Sequence, residues 1–406
     1  MSRSNRLKAK DAFLNLVTYL SSAVSLVTLL FIVAFVVGKG YRLLNLDLIV
    51  ENFESIGFVA DFYPGSVACN CEADTVIAEG TYYSEKWGIA LTDSLDLLGK
   101  TVVEVEYVHP DSPFRLLHDK GIRLEAIPMR TDYDIIRIAF DASPTALSRY
   151  GAENMIQMLD ANDSIREIEF ETKGGGIRGS IITTLVLIGL TLLFALPIGI
   201  GAAIYLNEYA PANKITKLIR SLIETLTGVP SIIYGLMGLA IFVPLTVKLL
   251  GASGGNLISG AMTLSVILLP IIIRTTEESL KVVPDEFRQA SLALGASKTQ
   301  TTFKVVLPSA IPGIMTATLL AIGRIIGESA ALVFAIGTAI KDDVSLLGKS
   351  TPLAVHIWAM MTDEPANIEL SATIAIIIIV IVVILNFVIK LISNRYLRRK
   401  LGPNHG

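Results

Sequence analysis

The sequence predicts an all-α polytopic membrane protein with six transmembrane helices and an extracytoplasmic α+β domain inserted after the first of them. Three observations lead there. The chain has 406 residues, a mean hydropathy of +0.60 and only 17% charged residues, too apolar for a soluble globule of this length. Six runs, at about 15–37, 179–206, 219–247, 256–273, 312–339 and 370–392, approach the roughly 20 apolar residues that cross a hydrocarbon core about 30 Å thick. Between the first two runs, residues 40–175 have ordinary polarity and enough length for a small independent fold. Such a composition calls for a lipid bilayer as partner and gives no sign of nucleic acid.

The first run, within 1–39, follows a basic head containing Arg3, Arg6, Lys8 and Lys10. It is longer than a signal-peptide core, and GKGYRLLN follows it in place of a small-x-small cleavage site, so an uncleaved anchor is expected. The basic head, the connection with Lys214, Lys217 and Arg220, and the basic tail (Lys390, Arg395 and the rest of 394–406) mark the cytoplasmic side. Both termini then lie inside, and 40–177 lies outside with short loops near 250 and 341–368.

Residues 40–175 carry 24 acidic against 11 basic side chains, whereas the rest of the chain carries 13 against 23. The near-neutral total therefore hides a polarised molecule. Alternating runs at 101–108, 122–129, 134–140 and 165–172 predict strands, and a helix is expected over 145–161. KGGGIRG at 173–179 reads as a flexible lead into the second span. Cys69 and Cys71, with His109 and His118 in the same domain, offer soft-metal ligand types. Their Cys-x-Cys spacing is not that of common zinc sites, and a disulfide across one residue is expected to be strained, so a surface turn with free or loosely paired thiols is the expectation.

The membrane core, 178–393, contains three stretches of unusual character. In TGVPS, Gly228 and Pro230 can break the third span beside a cavity, where interrupted helices are tolerated. Glu224 lies near the start of that span. Arg274, Glu277 and Glu278 end the fourth span, where they either line an exit or snorkel. Then comes the loop 284–308: Pro284 opens a helix with Asp285 and Glu286 in its first turn, Gly295 ends it, Ser297 caps a second, and Pro308 is expected to stop that one after Leu307. Phe287, Leu292, Leu294 and Phe303 have no evident partner within so short a loop, so a groove in another protein or the lipid surface must cover them.

The third stretch, GRIIGESA at 323–330, places two charges inside an apolar run. A charge at mid-membrane costs roughly 2.5–3.5 kcal/mol on insertion scales, so it faces a cavity or a partner. Arg324 and Glu328 are four apart and are expected on one helix face, with Gly323 and Gly327 forming a small-xxx-small strip beside them. A self-neutralising ion pair that locks helix packing is one reading. The other is anion recognition: a guanidinium fork matches phosphate oxygens, and phosphate near neutral pH keeps an O–H that Glu328 can accept, whereas sulfate leaves that acceptor unpaired.

Q-A-S-x3-G-x9-V-x-L-P at 289–308, LTGVPSIIYGL, LPIIIRTTEESL and GRIIGESAALVF together resemble the phosphate permeases of the PstA type, within the ABC importer permeases. The pattern there is E-A-A-x3-G-x9-I-x-L-P; Gln289 and Ser291 depart from it, Gly295, Leu307 and Pro308 fit, and Ala331 stands where the family usually has Pro. The resemblance covers about 175–392 and implies a type I importer permease fold. It implies a coupling loop including Glu286, Gln289, Ala290, Ser291, Gly295, Leu307 and Pro308 that docks on a cytoplasmic ATPase. It further implies a substrate pathway with Arg324 and Glu328, to which Arg274 is added, a second related permease chain, two ATPase subunits using ATP and Mg, and an extracytoplasmic phosphate-binding protein. No G-x4-G-K-[ST] loop occurs; GKT at 99–101 and GKS at 348–350 have Ser94 and Asp343 where the first glycine belongs. The chain itself is therefore expected to be no enzyme and to hold no cofactor or metal. Two alternatives stay open: a permease for sulfate, molybdate or an amino acid, and a membrane-bound sensor or docking protein.

Overall fold

The structure is a computed structural model and describes residues 3–62, 68–74, 77–96, 101–120, 126–362 and 366–401. The chain divides into two compact units, Met1–Leu44 with Thr183–Ala339 and Ser345–Gly406, and Asn45–Ile182 with Ile340–Val344.

In chain order, α1 (Arg3–Gly40) leads to α2 (Leu46–Val50) and then to strands β1 (Gly57–Phe62), β2 (Thr81–Ser84), β3 (Ile89–Leu95), β4 (Thr101–Val108), β5 (Leu117–Asp119), β6 (Ala126–Ile127), β7 (Tyr133–Phe140) and β8 (Ala146–Leu147). Helix α3 (Ala152–Ala161) and β9 (Ile165–Thr172) complete that unit. The nine strands form one antiparallel sheet in the order β2-β3-β4-β7-β9-β1-β5-β6, with β8 beside β7. The expected strands at 101–108, 134–140 and 165–172 are present because their β-branched residues alternate. Of 122–129, residues 121–125 lie outside those described and Ala126–Ile127 is a short strand. Strands β1, β2, β3 and β5 lack a long alternating pattern, so the sequence does not announce them.

Three expectations for this unit are corrected. The helix expected at 145–161 begins only at Ala152, where Asp93 Oδ1 accepts the Ala152 N–H at 2.8 Å and supplies the cap; the residues before it pair with β7 and make a 3₁₀ turn. Cys69 and Cys71 form a disulfide with Cα atoms 5.3 Å apart, Asn70 between them adopting φ +48°. The expectation of free or loosely paired thiols is thereby corrected, because that turn brings the two Cα atoms within reach of a disulfide. His109 and His118 bond Asp74 and Asp61, at 3.1 and 3.3 Å. The triple glycine is not a flexible lead: Gly176 N–H donates to Asn52 O at 2.9 Å, and a Cβ on Gly176 would lie 2.1 Å from Glu51 O. These glycines let two backbones touch. In the same unit, Asp342 accepts the N–H groups of Phe53 and Glu54 at 2.8 and 2.7 Å, and Lys341 pairs with Glu54.

The sheet buries an acid pair. Glu104 and Asp134 face each other across β4 and β7 and are 8% and 4% exposed. Burial pushes Glu104 upward, but Lys173 at 2.7 Å and the Ser94 hydroxyl hold its carboxyl below the usual range. Among the described residues Asp134 Oδ1 has no hydrogen-bond partner, and burial together with the Glu104 charge pushes Asp134 up to about 7.

The other unit holds six helices long and apolar enough to cross a bilayer, here Phe13–Leu43, Arg178–Tyr209, Ser231–Leu250, Leu257–Lys281, Lys298–Gly327 and Ile368–Ser393. The spans lie in α1, in α4 (Arg178–Ile204) with a π turn, in α6 (Ser231–Met237) and α7 (Val243–Leu250) with the π turn Gly238–Phe242 between them, in α8 (Leu257–Lys281), in α10 (Lys298–Thr301) and α11 (Leu307–Gly327), and in α14 (Ile368–Leu401); outside them are α5 (Lys214–Leu226), α9 (Asp285–Ala293) in the loop, α12 (Ala330–Ala335) and α13 (Leu353–Thr362). The buried core of α4, α6, α8, α11, α12 and α13 is aliphatic apart from Tyr234.

The run 219–247 is two elements, because Thr227–Pro230 interrupts it; α5 instead shows an exposed stripe of Ile215, Leu218, Ile219 and Leu222. Pro308 does not stop its helix. The carbonyl four residues before it, at Lys304, lies in a π turn (Thr302–Val306) whose wider ring accommodates the missing N–H, so helix continues from Lys298 to Gly327. The run 312–339 ends early, at Gly327. Residues 341–368 are not all loop, since α13 sits there with Val355 and His356 fully buried.

Asp134 gives a testable pH dependence. The native unit holds a proton between about pH 4, the unfolded aspartate value, and about 7, so its stability falls as pH rises through that window, by up to about 1.4 kcal/mol per unit. Denaturant titrations of the full-length protein read through Trp87, with Trp358→Phe removing the other tryptophan, are expected to show that slope; Asp134→Asn flattens it and is the more stable form at pH 8.

Candidate functional site

Two interrupted helices meet to make the site. At the first interruption the chain leaves α5 through Thr227–Pro230, and the Tyr234 hydroxyl donates to Leu226 O at 2.8 Å, satisfying a carbonyl freed by the break. At the second, α11 stops at Gly327 and Glu328 turns to φ −86°, ψ 110°. Its carboxylate Oε1 accepts the Ala331 N–H at 3.3 Å and caps α12. Gly235 brings α6 against α12: a Cβ there would lie 2.8 Å from Ala331 Cα. The concavity is lined by Ser231, Gly323, Arg324, Gly327, Glu328 and Ser329.

The expectation that Arg324 and Glu328 share one helical face is thereby corrected. They remain neighbours, with Arg324 Nη2 3.6 Å from Glu328 Oε2, but across a helix end. That separation exceeds a hydrogen bond. Among the described residues the Arg324 guanidinium makes no hydrogen bond, and its side chain is 47% exposed against 7% for Glu328. The arrangement offers free donors beside a fixed carboxylate with one oxygen uncommitted. Among the described residues, no atom outside their own helical turns lies within 4 Å of a Cβ placed on Gly323 or Gly327, so a Cβ there would meet open space.

The loop forms a second surface. Glu286, Gln289 and Ala290 are exposed on α9; Ser291 Oγ lies 2.9 Å from Thr301 Oγ1, tying α9 to α10; and Gly295 turns the chain at φ +86°. Ser297 caps α10 through a reciprocal bond pair with Gln300. Leu307 packs on Ile204, Leu280 and Val306, and Pro308 begins the next helical segment. Phe287, Leu292, Leu294 and Phe303 are all about half exposed or more.

The family described as the binding-protein-dependent transport system inner membrane component matches residues 195–399, half of the chain and both surfaces. The chain belongs to this family. Similar proteins include the probable ABC transporter permease YqgI of Bacillus subtilis, 39% identical over 202 residues, covering 47% of this chain and 67% of that one. The phosphate transport system permease PstA homolog of Mycoplasma pneumoniae is 36% identical over 48% of this chain and 30% of its own length. The phosphate transport system permease PstC of Mesorhizobium japonicum is 31% identical over 57% and 74%. Among solved structures, the inward-facing MetNI methionine ABC transporter matches 53% of this chain and 94% of that one at 23% identity, with a TM-score of 0.44. Proteins of this family are permease subunits of transport systems.

Arg274, placed with the pathway from sequence, belongs to a different group in this permease. It pairs with Glu224 at 3.3 Å and Glu278 at 3.1 Å, and shares a surface pocket with Arg220, Glu277 and Lys281. Sequence reasoning passed over Arg220, whose Nη2 lies 2.6 Å from the buried Glu277, and the pair of Glu208 with Arg288. Arg288 sits a short distance in sequence from the end of α8, whose carbonyls it bonds, and that spacing was the available signal; Arg220 reaches Leu206 O from the middle of α5, which no local spacing announces.

The meeting of α6 with α12 can be tested on the purified chain. Gly235→Ala is expected to destabilise it by about 1–3 kcal/mol through overpacking, whereas Gly323→Ala, with open space, is neutral or gains up to about 1 kcal/mol of helix propensity. Detergent-phase thermal denaturation distinguishes the two.

Proposed function

We propose that this permease is the membrane-spanning subunit of an ATP-driven importer that moves inorganic phosphate from an extracytoplasmic binding protein into the cytoplasm. The observation that carries the reading is the pair Arg324 and Glu328 at the meeting of two broken helices. The guanidinium supplies donors for the anion's oxygens. The carboxylate, held by the Ala331 N–H, accepts the O–H that phosphate retains and sulfate lacks. The phosphate transport named in several relatives agrees with this chemistry.

The remaining assignments belong to the same reading. The β-rich unit lies outside the membrane and both termini inside, as the basic ends require. A second, related permease chain covers the open Gly323–Gly327 strip. Two ATPase subunits, which bind ATP and Mg, dock on α9 and the exposed apolar residues around it. Arg274 and its carboxylate partners sit toward the cytoplasmic exit of the pathway.

Labelled-phosphate uptake by phosphate-starved cells tests the proposal, with Arg324→Gln and Glu328→Gln compared at matched membrane abundance. Wild-type uptake is expected to resist excess sulfate. Each variant is expected to fall by about ten-fold or more, since a hydrogen bond to a charged group is worth roughly 1.5–3 kcal/mol. Normal uptake by both variants would reduce the pair to a packing element, and sulfate competition in the wild type would overturn the selectivity argument.

A further inference from the structure

Helix α9 has an inner side as well as a docking face, and one residue on it joins three helices. Arg288 Nη2 lies 2.9 Å from Glu208 Oε1 and 2.8 Å from Leu280 O; Nη1 lies 2.7 Å from Val283 O and 3.1 Å from Asp285 Oδ1; Nε lies 3.4 Å from Glu208 Oε2. A guanidinium has five N–H donors, and each has an acceptor here. Glu208 sits in the π turn that ends the α4 span, and Leu280 is in the last turn of α8, with Val283 just beyond. The side chains of Arg288 and Glu208 are only 17% and 8% exposed.

A buried ion pair is weak evidence of net stability, because desolvation offsets the attraction. This cluster does something more specific. Carbonyls at the end of a helix lack partners within it, and a planar fork fixes direction as well as distance. An ammonium has three donors on a single point and cannot reach acceptors on three sides.

We propose that Arg288 is the positioning residue that makes α9 move as one body with the ends of α4 and α8, so that motion imposed on α9 by a docked ATPase reaches the spans. This rests on the permease reading, in which α9 is the part that the ATPase touches. Ser291 with Thr301 ties α9 onward to the α10–α11 helix, and among the described side chains of α9 Arg288 is the one that bonds the ends of α4 and α8. The role is one of transmission, and binding of the ATPase is left to the exposed residues of the same helix.

The test uses the assembled importer in proteoliposomes, with Arg288→Lys and Glu208→Gln, measuring ATPase co-purification, ATP hydrolysis and labelled phosphate moved per ATP. Assembly and hydrolysis are expected to stay within about two-fold of wild type, while phosphate moved per ATP falls about ten-fold in the Lys variant and less in the Gln variant. A second readout needs no transport: spin labels at Glu286→Cys and Tyr205→Cys on the isolated chain, whose distance distribution broadens with Arg288→Lys. If wild type moves no phosphate, the substrate reading fails while the label distances still judge the tie. Unchanged stoichiometry, or an unchanged distance distribution, overturns the proposal; so does parallel loss of assembly and transport in both variants, which would make the residue structural only.

Discussion

A peptide group inside hydrocarbon has no water to bond, so every break in a membrane helix must carry its own replacement partners. That constraint organises the permease unit. Two helix ends carry such partners, at Thr227–Pro230 just before the third span and at Glu328–Ser329 just after the fifth: the Tyr234 hydroxyl on Leu226 O and the Glu328 carboxylate on the Ala331 N–H. Because Gly235 lets α6 press on Ala331, the two repaired breaks come together. A polar concavity in an apolar bundle results, with Arg324 at its rim. Glu328 thus has two duties, as cap and as lining, and its position is fixed by the first before it can serve the second.

Proline and small residues shape the rest of the bundle under the same rule. Pro308 and Pro244 each follow a π turn that contains the carbonyl four residues before them, so the helix persists where a simple reading ends it. The wider turn has a second consequence: it lets one continuous helix run from the loop capped by Ser297 to the site at Gly327. Loop and site are therefore joined by a single rod, and Arg288 adds a second connection through α4 and α8.

Much of this was legible in the sequence, and the reasons for the remainder are physical. Six spans follow from length and hydropathy, the cap at Ser297 and the turn at Gly295 from local side-chain chemistry, and the unusual polarity of GRIIGESA from the cost of burying charge. The break after Gly327 was not legible, since glutamate is a good helix former and only the partner at Ala331 reveals its cap. KGGGIRG was read as flexible because glycine permits both freedom and close approach; the strand of backbone it touches, at Glu51–Phe53, is remote in sequence. Likewise β1, β2 and β3 are specified by the sheet around them more than by their own alternation, and Asn70 decides the Cys69–Cys71 pairing through a backbone angle that no spacing rule encodes.

The central claim is that the meeting point of the two broken helices is a water-reached site for phosphate. Ser231 lines it, and the native cysteines are joined to each other, so Ser231→Cys introduces a single free thiol. The rate at which a charged, membrane-impermeant thiol reagent modifies that cysteine in the assembled transporter is the most direct measurement. The account requires modification that millimolar phosphate slows and equal sulfate does not. A cysteine that stays unreactive under every condition, or one that phosphate leaves equally reactive, would contradict it.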